Sequence, residues 1–196
     1  MGAREDILAA LRRAAPGEVS LPDLAALGVR FEDRAQKFAE AVQGVAGTCV
    51  RVADQAAAQR ALAGLAVYQQ AKRTMSLVAG LGAGGEDPAA VADPHALDGV
   101  EVVVLPGAFG VAENGAVWVE ARAMPHAALF VIPEHLVLVV PAGELVDDMH
   151  AAYARLSAGP AVYGTFIAGP SKTADIEQAL VIGAHGARSC TVLLMG

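Results

Sequence analysis

The spacing of apolar positions changes along the chain, and each change marks an element. Ile7, Leu8 and Leu11 form one stripe, so residues 3–14 are predicted helical. Pro16, Gly17, Pro22 and Gly28 punctuate 16–30, which reads as a linker. Residues 1–30 are therefore expected to form a helix and linker, and 31–196 an α/β domain. Phe31, Ala35, Phe38 and Val42 line one face of a second helix. TCVRVA (48–53) reads as a strand, Asp54 as the cap of a helix over 55–72, and TMSLVA (74–79) as a strand. A Gly-rich loop and a Pro-bounded connection follow. VEVVVL (100–105) is nearly continuous in β-branched residues, as a strand covered on both faces requires.

Downstream, two apolar segments flank Asn114-Gly115, which predicts a hairpin with a type I′ turn. AALFVI (127–132) and HLVLVV (135–140) read as strands separated by Pro133-Glu134. A helix is expected over 143–157, with Leu145, Met149, Tyr153 and Leu156 on one face. YGTFIA (163–168) is predicted a strand, 174–184 a helix, and SCTVLLM (189–195) a closing strand. Strands alternating with helices imply an α/β fold: a mostly parallel sheet with helices on both faces and a mid-chain β-hairpin.

Composition narrows the partners. The chain has 196 residues, 55% hydrophobic and 18% charged, enough for a full core without disulfide or metal staples. Asp and Glu number 21 against 14 Lys and Arg, a net charge of −7, and basic residues occur only in isolated pairs such as Arg12-Arg13. Phosphate-backbone binding needs clustered cations, so nucleic acid is not an expected partner. Glu5 and Asp6 interrupt the first apolar run, and no stretch is long and apolar enough for a membrane span, so a cytoplasmic location is expected. Cys49 and Cys190 each lie in strand-like runs and read as buried small hydrophobes. Two thiols fall short of the roughly four an iron–sulfur cluster uses, so no such cofactor is expected in this chain.

Two polar constellations carry the candidate chemistry. The first is GPSKTADIEQALVIGAHG, 169–186. A strand–turn–helix junction there would present free amides to an anion, with Gly169, Ser171, Lys172 and Thr173 as further contacts. Asp175 lies in the expected first turn, where it complements the dipole but repels a nearby anion. Ser171 or Thr173 acting as a plain helix cap is the structural alternative. His185, expected just past the helix, is either a dipole complement or a ligand contact. The second is the turn 110–115, with Gly110, Glu113, Asn114 and Gly115. It is either a hairpin turn alone or a carboxylate, Glu113, presented as nucleophile or base. Gly80, Gly82 and Gly85 match G-x-G-x-x-G, but Glu86-Asp87-Pro88 follows in place of a helix, so a pocket-lining loop fits better than a dinucleotide site. His95, His126, His135 and His150 show no metal-ligand spacing, and no metal site is expected.

FIAGPSKTADIEQALVIGAHG resembles the C-terminal signature of the lactate-utilisation protein C (LUD-domain) family. REDILAALRRA resembles that family's opening helix and GAFGVAENGAVW its central turn, with Ala187 where the family usually has Pro. The resemblance implies a three-layer fold like that of the ribose-5-phosphate isomerase and CoA-transferase group. It also implies a role in oxidising L-lactate to pyruvate beside separate iron–sulfur subunits, as an accessory subunit binding a small carboxylate or phosphate-bearing ligand. CoA-transferases use a similar Ser-Glu-Asn-Gly element; here Ala112 replaces the Ser. An enzyme using Glu113, and a purely structural or interaction module, remain open alternatives, as does association with a second copy.

Overall fold

Val102, Val103, Val104 and Leu105 are all buried, and successive side chains enter two different cores. That alternation is the signature of a strand with apolar layers on both faces. The computed structural model describes residues 2–15, 17, 20, 22–23, 27–82, 84–157, 163–173 and 180–196. Five strands form the central sheet: β1 (Thr48–Val52), β2 (Thr74–Ser76), β3 (Val102–Pro106), β6 (His135–Pro141) and β11 (Ser189–Met195), in the order β1-β11-β6-β3-β2. Every neighbouring pair among them is parallel. The expected α/β architecture with a mostly parallel central sheet is the one observed.

One face of this sheet sends Val102, Val104, Val137, Val139 and Leu193 into a core with Ala58 and Leu62 of α3 (Gln55–Gly64). The other sends Val103, Leu105, Leu136, Leu138, Val192 and Leu194 against Phe38 and Val42 of α2 (Arg34–Gly44). Leu138 is fully buried, so truncating it to Ala would cost about 2–5 kcal/mol. Both helices start on a capping aspartate: Asp54, as expected, accepts the Ala57 N–H at 2.7 Å, and Asp33, a cap the sequence reading does not single out, accepts the Gln36 N–H at 2.8 Å. The helix expected over 55–72 divides at Leu65, which is extended, and resumes as α4 (Ala66–Gln70). Gly64 weakens the helix at that point. Helix α1 (Ala3–Ala14) forms as expected and buries none of its residues.

The mid-chain hairpin grows into a second sheet. Strand β4 (Phe109–Val111) pairs antiparallel with β5 (Val117–Glu120), and β5 pairs antiparallel with β8 (Gly164–Ile167). Strand β7 (Leu145–Val146) joins β4 in parallel. Val117 and Val119 face the central core, whereas Phe109, Val111, Trp118 and Phe166 pack under Ala152 of α5 (Met149–Ser157). The turn is not the expected type I′: Asn114 is not at positive φ, Gly115 is (φ +71°), and the loop runs from Ala112 to Gly115. A longer loop needs only its last residue left-handed.

Three further expectations are corrected. Residues 127–132 are not a strand: Ala127–Phe130 is a 3₁₀ turn that buries Leu129 and Phe130 and leaves Val131 exposed. Short apolar runs do not distinguish these conformations by period. The helix expected from 143 begins at Met149, because Leu145–Val146 is recruited to the second sheet and Asp148 accepts the Ala151 N–H at 2.8 Å as a cap. The helix expected over 174–184 is not continued at its end: Val181–Ile182 is strand β10, antiparallel to β9 (Lys172–Thr173). Residues 174–179, with Asp175, lie outside the described residues.

Candidate functional site

The two constellations lie next to paired strands: β5 follows the turn 110–115 and β8 precedes 169–173. Register between β5 and β8 ends at Val117 opposite Ile167, two residues short of Gly115 on one strand and of Gly169 on the other. Both glycines are left-handed, at φ +71° and +72°, and both abut α2. A Cβ at Gly115 would lie 2.6 Å from the Val42 nitrogen, and one at Gly169 would lie 2.3 Å from the Val45 oxygen. Gly110 is confined similarly, with Phe38 and Leu145 atoms within 2.8 Å of a built Cβ. Close approach to backbone is thus the reason for glycine at 115 and 169, and side-chain packing of Phe38 and Leu145 the reason at 110.

Glu113 is exposed, and its carboxylate accepts the Met149 N–H at 2.9 Å, satisfying a free amide at the start of α5. Asn114 accepts the Ala116 N–H at 3.0 Å, a local turn bond. Lys172 is exposed and its ammonium donates to the Val45 carbonyl at the end of α2. Thr173, expected at a helix start, lies in β9.

Ser171 and His185 do come together. The Ser171 N–H donates to the Ala187 carbonyl at 2.9 Å, and the Gly183 N–H donates to the Ser171 carbonyl at 2.9 Å, folding 183–187 back over 169–171. Gly169, Pro170, Ser171, His185 and Gly186 form the polar rim of a cavity of about 280 Å³, with Phe130, Val131, Leu136, Phe166 and Ile167 as its apolar wall. No residue of 110–115 lines it. In the core, burial pushes the Cys190 thiol up to about 12, against a smaller opposing pull from the Lys172 charge. Cys49 is half-buried and its thiol is also raised by burial.

The Gly-rich loop lines a separate cavity of about 410 Å³ at the carboxyl end of β2. Gln55 donates to the Ala79 carbonyl at 2.8 Å and Gln59 accepts the Gly82 N–H at 3.1 Å, so α3 holds the loop. Pro88–Ala90 is a 3₁₀ turn, not the helix a dinucleotide fingerprint opens. Glu101 accepts the Lys72 and Arg73 amides, which hold its carboxyl below the ordinary range.

Sequence reasoning missed a cluster at the start of α2. Arg34, Asp147, Asp148 and His150 border a cavity of about 460 Å³ that is also lined by 28–30. Its members come from segments 113 positions apart in the case of Arg34 and Asp147, and neither segment carries a motif. Among the described residues, no group of three or more His, Cys, Asp or Glu is placed to hold a metal ion. No helix there is long and apolar enough to cross a membrane.

Comparison with known proteins agrees with this architecture. Residues 99–195 match the LUD domain, a span holding both turns, Ser171, His185 and the second sheet. A crystal structure of a DUF162 family protein from Deinococcus radiodurans superposes with a TM-score of 0.63, covering 86% of this chain and 99% of that one. At 18% identity that likeness speaks for the fold. The chain belongs to the LUD-domain family.

Proposed function

We propose that this protein is an accessory, non-iron–sulfur subunit of an L-lactate oxidation system, holding a small anionic metabolite in the cavity rimmed by Gly169–Ser171 and His185–Gly186. Oxidation of lactate to pyruvate releases two electrons and two protons, and in this reading the electrons pass to iron–sulfur clusters on partner subunits. The observation that carries the ligand assignment is the fold-back of 183–187 onto 169–171. It brings Ser171 and the exposed His185 to one cavity of about 280 Å³. A few converging donors over an apolar wall is the usual form of a small-molecule site. Lys172 lies beside it and adds positive charge, although its ammonium is engaged by Val45.

The test is genetic and biochemical together. Cells growing on lactate as carbon source should lose growth when Ser171 and His185 are both replaced by Ala, while the purified variant melts at the wild-type temperature. Full-length protein purified from lactate-grown cells should carry partners with iron–sulfur absorbance. Normal growth of the double variant removes the ligand assignment, and purification without any such partner removes the subunit assignment.

A further inference from the structure

Helix α1 carries an apolar stripe that nothing in its own chain buries. Arg4, Ile7, Leu8 and Leu11 stand at i, i+3, i+4 and i+7, on one face of the helix. Ile7 is 60% and Leu11 61% exposed, and no residue of the helix is buried. Arg4 is exposed and takes part in no ion pair among the described residues. An isolated helix of 12 residues is marginal in water, so a partner for this face stabilises it.

The cavity of about 460 Å³ at the start of α2 has the complementary character. Val29, Ala151 and Ala154 give it an apolar floor. Its charges are unevenly matched. Asp147 accepts Arg34 Nε at 2.9 Å and the Phe31 N–H at 3.0 Å, its second oxygen lies 2.9 Å from Arg34 Nη2, and the Arg30 charge acts on it as well. Asp148, only 6% exposed, accepts the Val29 N–H at 3.0 Å and the Ala151 N–H at 2.8 Å, and has no ion-pair partner among the described residues. Backbone amides leave its charge in place, and a carboxylate with acceptor capacity to spare gains from a guanidinium. The unmatched charge in the cavity is thus an acid, and the unmatched charge on the α1 stripe is a guanidinium.

We propose that α1 of one copy docks in this cavity of a second copy, with Ile7, Leu8 and Leu11 against Val29, Ala151 and Ala154 and with Arg4 at Asp148. A helix seated in its own cavity would be buried there, and α1 is not, although residues 28–30 of the same arm line that cavity. Residues 15–27 join α1 to the cavity edge, a length that spans up to about 45 Å when extended. Exchange of arms is isologous: each copy gives one helix and one cavity, so the assembly closes at two chains. Each contact is small, which puts the dimer in the weak, concentration-dependent class. This surface is separate from the cavity at Ser171 and His185, and the inference does not rest on the lactate reading.

The test is sedimentation equilibrium of the full-length protein from about 5 to 500 µM. The mass is expected to rise with concentration from one chain to two. Leu11→Glu, on the exposed stripe, and Ala154→Trp, on the cavity floor, should each weaken association by about tenfold or more, with the wild-type melting temperature retained in dilute solution. Arg4→Glu, which sets a second acid against Asp148, should weaken it as well. A single-chain mass over the whole range overturns the proposal, including the case in which α1 folds back on its own domain. A dimer that Ala154→Trp leaves intact overturns it too, since α1 would then be paired elsewhere, and so does one that tolerates Leu11→Glu or Arg4→Glu.

Discussion

Arg34 and Asp147, 113 positions apart, meet in a two-bond ion pair, with Nε 2.9 Å from Oδ1 and Nη2 2.9 Å from Oδ2. The same carboxylate accepts the Phe31 N–H, so one acid fastens the start of α2 and the chain before it to the end of β7. The Arg34 hydrogen bond holds the Asp147 carboxyl below its ordinary value, and burial opposes this to a lesser degree.

A carboxyl depressed in the folded state contributes stability that is present above its unfolded value, near ~3.9, and lost as pH falls through the folded one. Asp147→Asn should therefore flatten the fall in denaturation midpoint below about pH 4. At pH 7 it should cost about 1 kcal/mol, since Arg34 is 50% exposed and solvent screens the pair. Urea melts across pH 2–7 measure both; an acid limb as steep in the variant as in the wild type contradicts the assignment.

Gly115 and Gly169 are expected to tolerate no Cβ. Each lies at positive φ with backbone of α2 or its end under 3 Å from a built Cβ. Gly115→Ala and Gly169→Ala should each destabilise the fold by about 1–3 kcal/mol. Gly143→Ala, where a Cβ meets nothing within 4 Å, serves as the near-neutral control. Chemical denaturation of the three variants separates packing from ligand binding as the reason for these glycines.

Glu113 caps α5 from outside the helix through the Met149 N–H. Glu113→Gln keeps an acceptor there and should change stability by less than about 0.5 kcal/mol, whereas Glu113→Ala should lose about 1 kcal/mol. Lactate-dependent growth should survive the Gln variant. Growth abolished by Glu113→Gln with an unchanged melt would mark the carboxylate as chemical instead of structural.

Cys190 is 2% exposed with its thiol raised to about 12. A thiol raised in the folded state contributes stability in full below its unfolded value of ~8.5, which is lost as pH climbs towards the folded one. Native protein should therefore show one slowly titrating thiol, Cys49, to a disulfide reagent at pH 8, and two after unfolding. Cys190→Ala should flatten the alkaline loss of stability. Two rapidly reacting thiols in the native state would refute the burial argument.

Strands that are buried on both faces were legible because their composition is their constraint. VEVVVL and SCTVLLM have no polar face to turn outward, so a central parallel position follows. The short polar motifs were not legible in the same way. Asn114-Gly115 announces a turn, but whether it is type I′ or a longer loop depends on how far β4 and β5 pair. The segment after Gly169 has helix-cap chemistry, yet Lys172–Thr173 pairs with Val181–Ile182, a partner no local window contains. Leu145 has helical spacing to Met149, but its pairing with Gly110 in the second sheet outweighs local preference.

What the amino-acid sequence alone determined is the layered α/β plan, the helix capped by Asp54, and the family resemblance carried chiefly by 166–186. Those rest on period, composition and local hydrogen bonding, which act over a few residues. Only the tertiary structure decided that Gly115 and Gly169 share α2 as a wall, that Ser171 and His185 share a cavity, and that Arg34 finds Asp147. Each of those depends on strand register or chain fold-back between distant segments, and the chain's short-range pattern holds no record of which segments will touch.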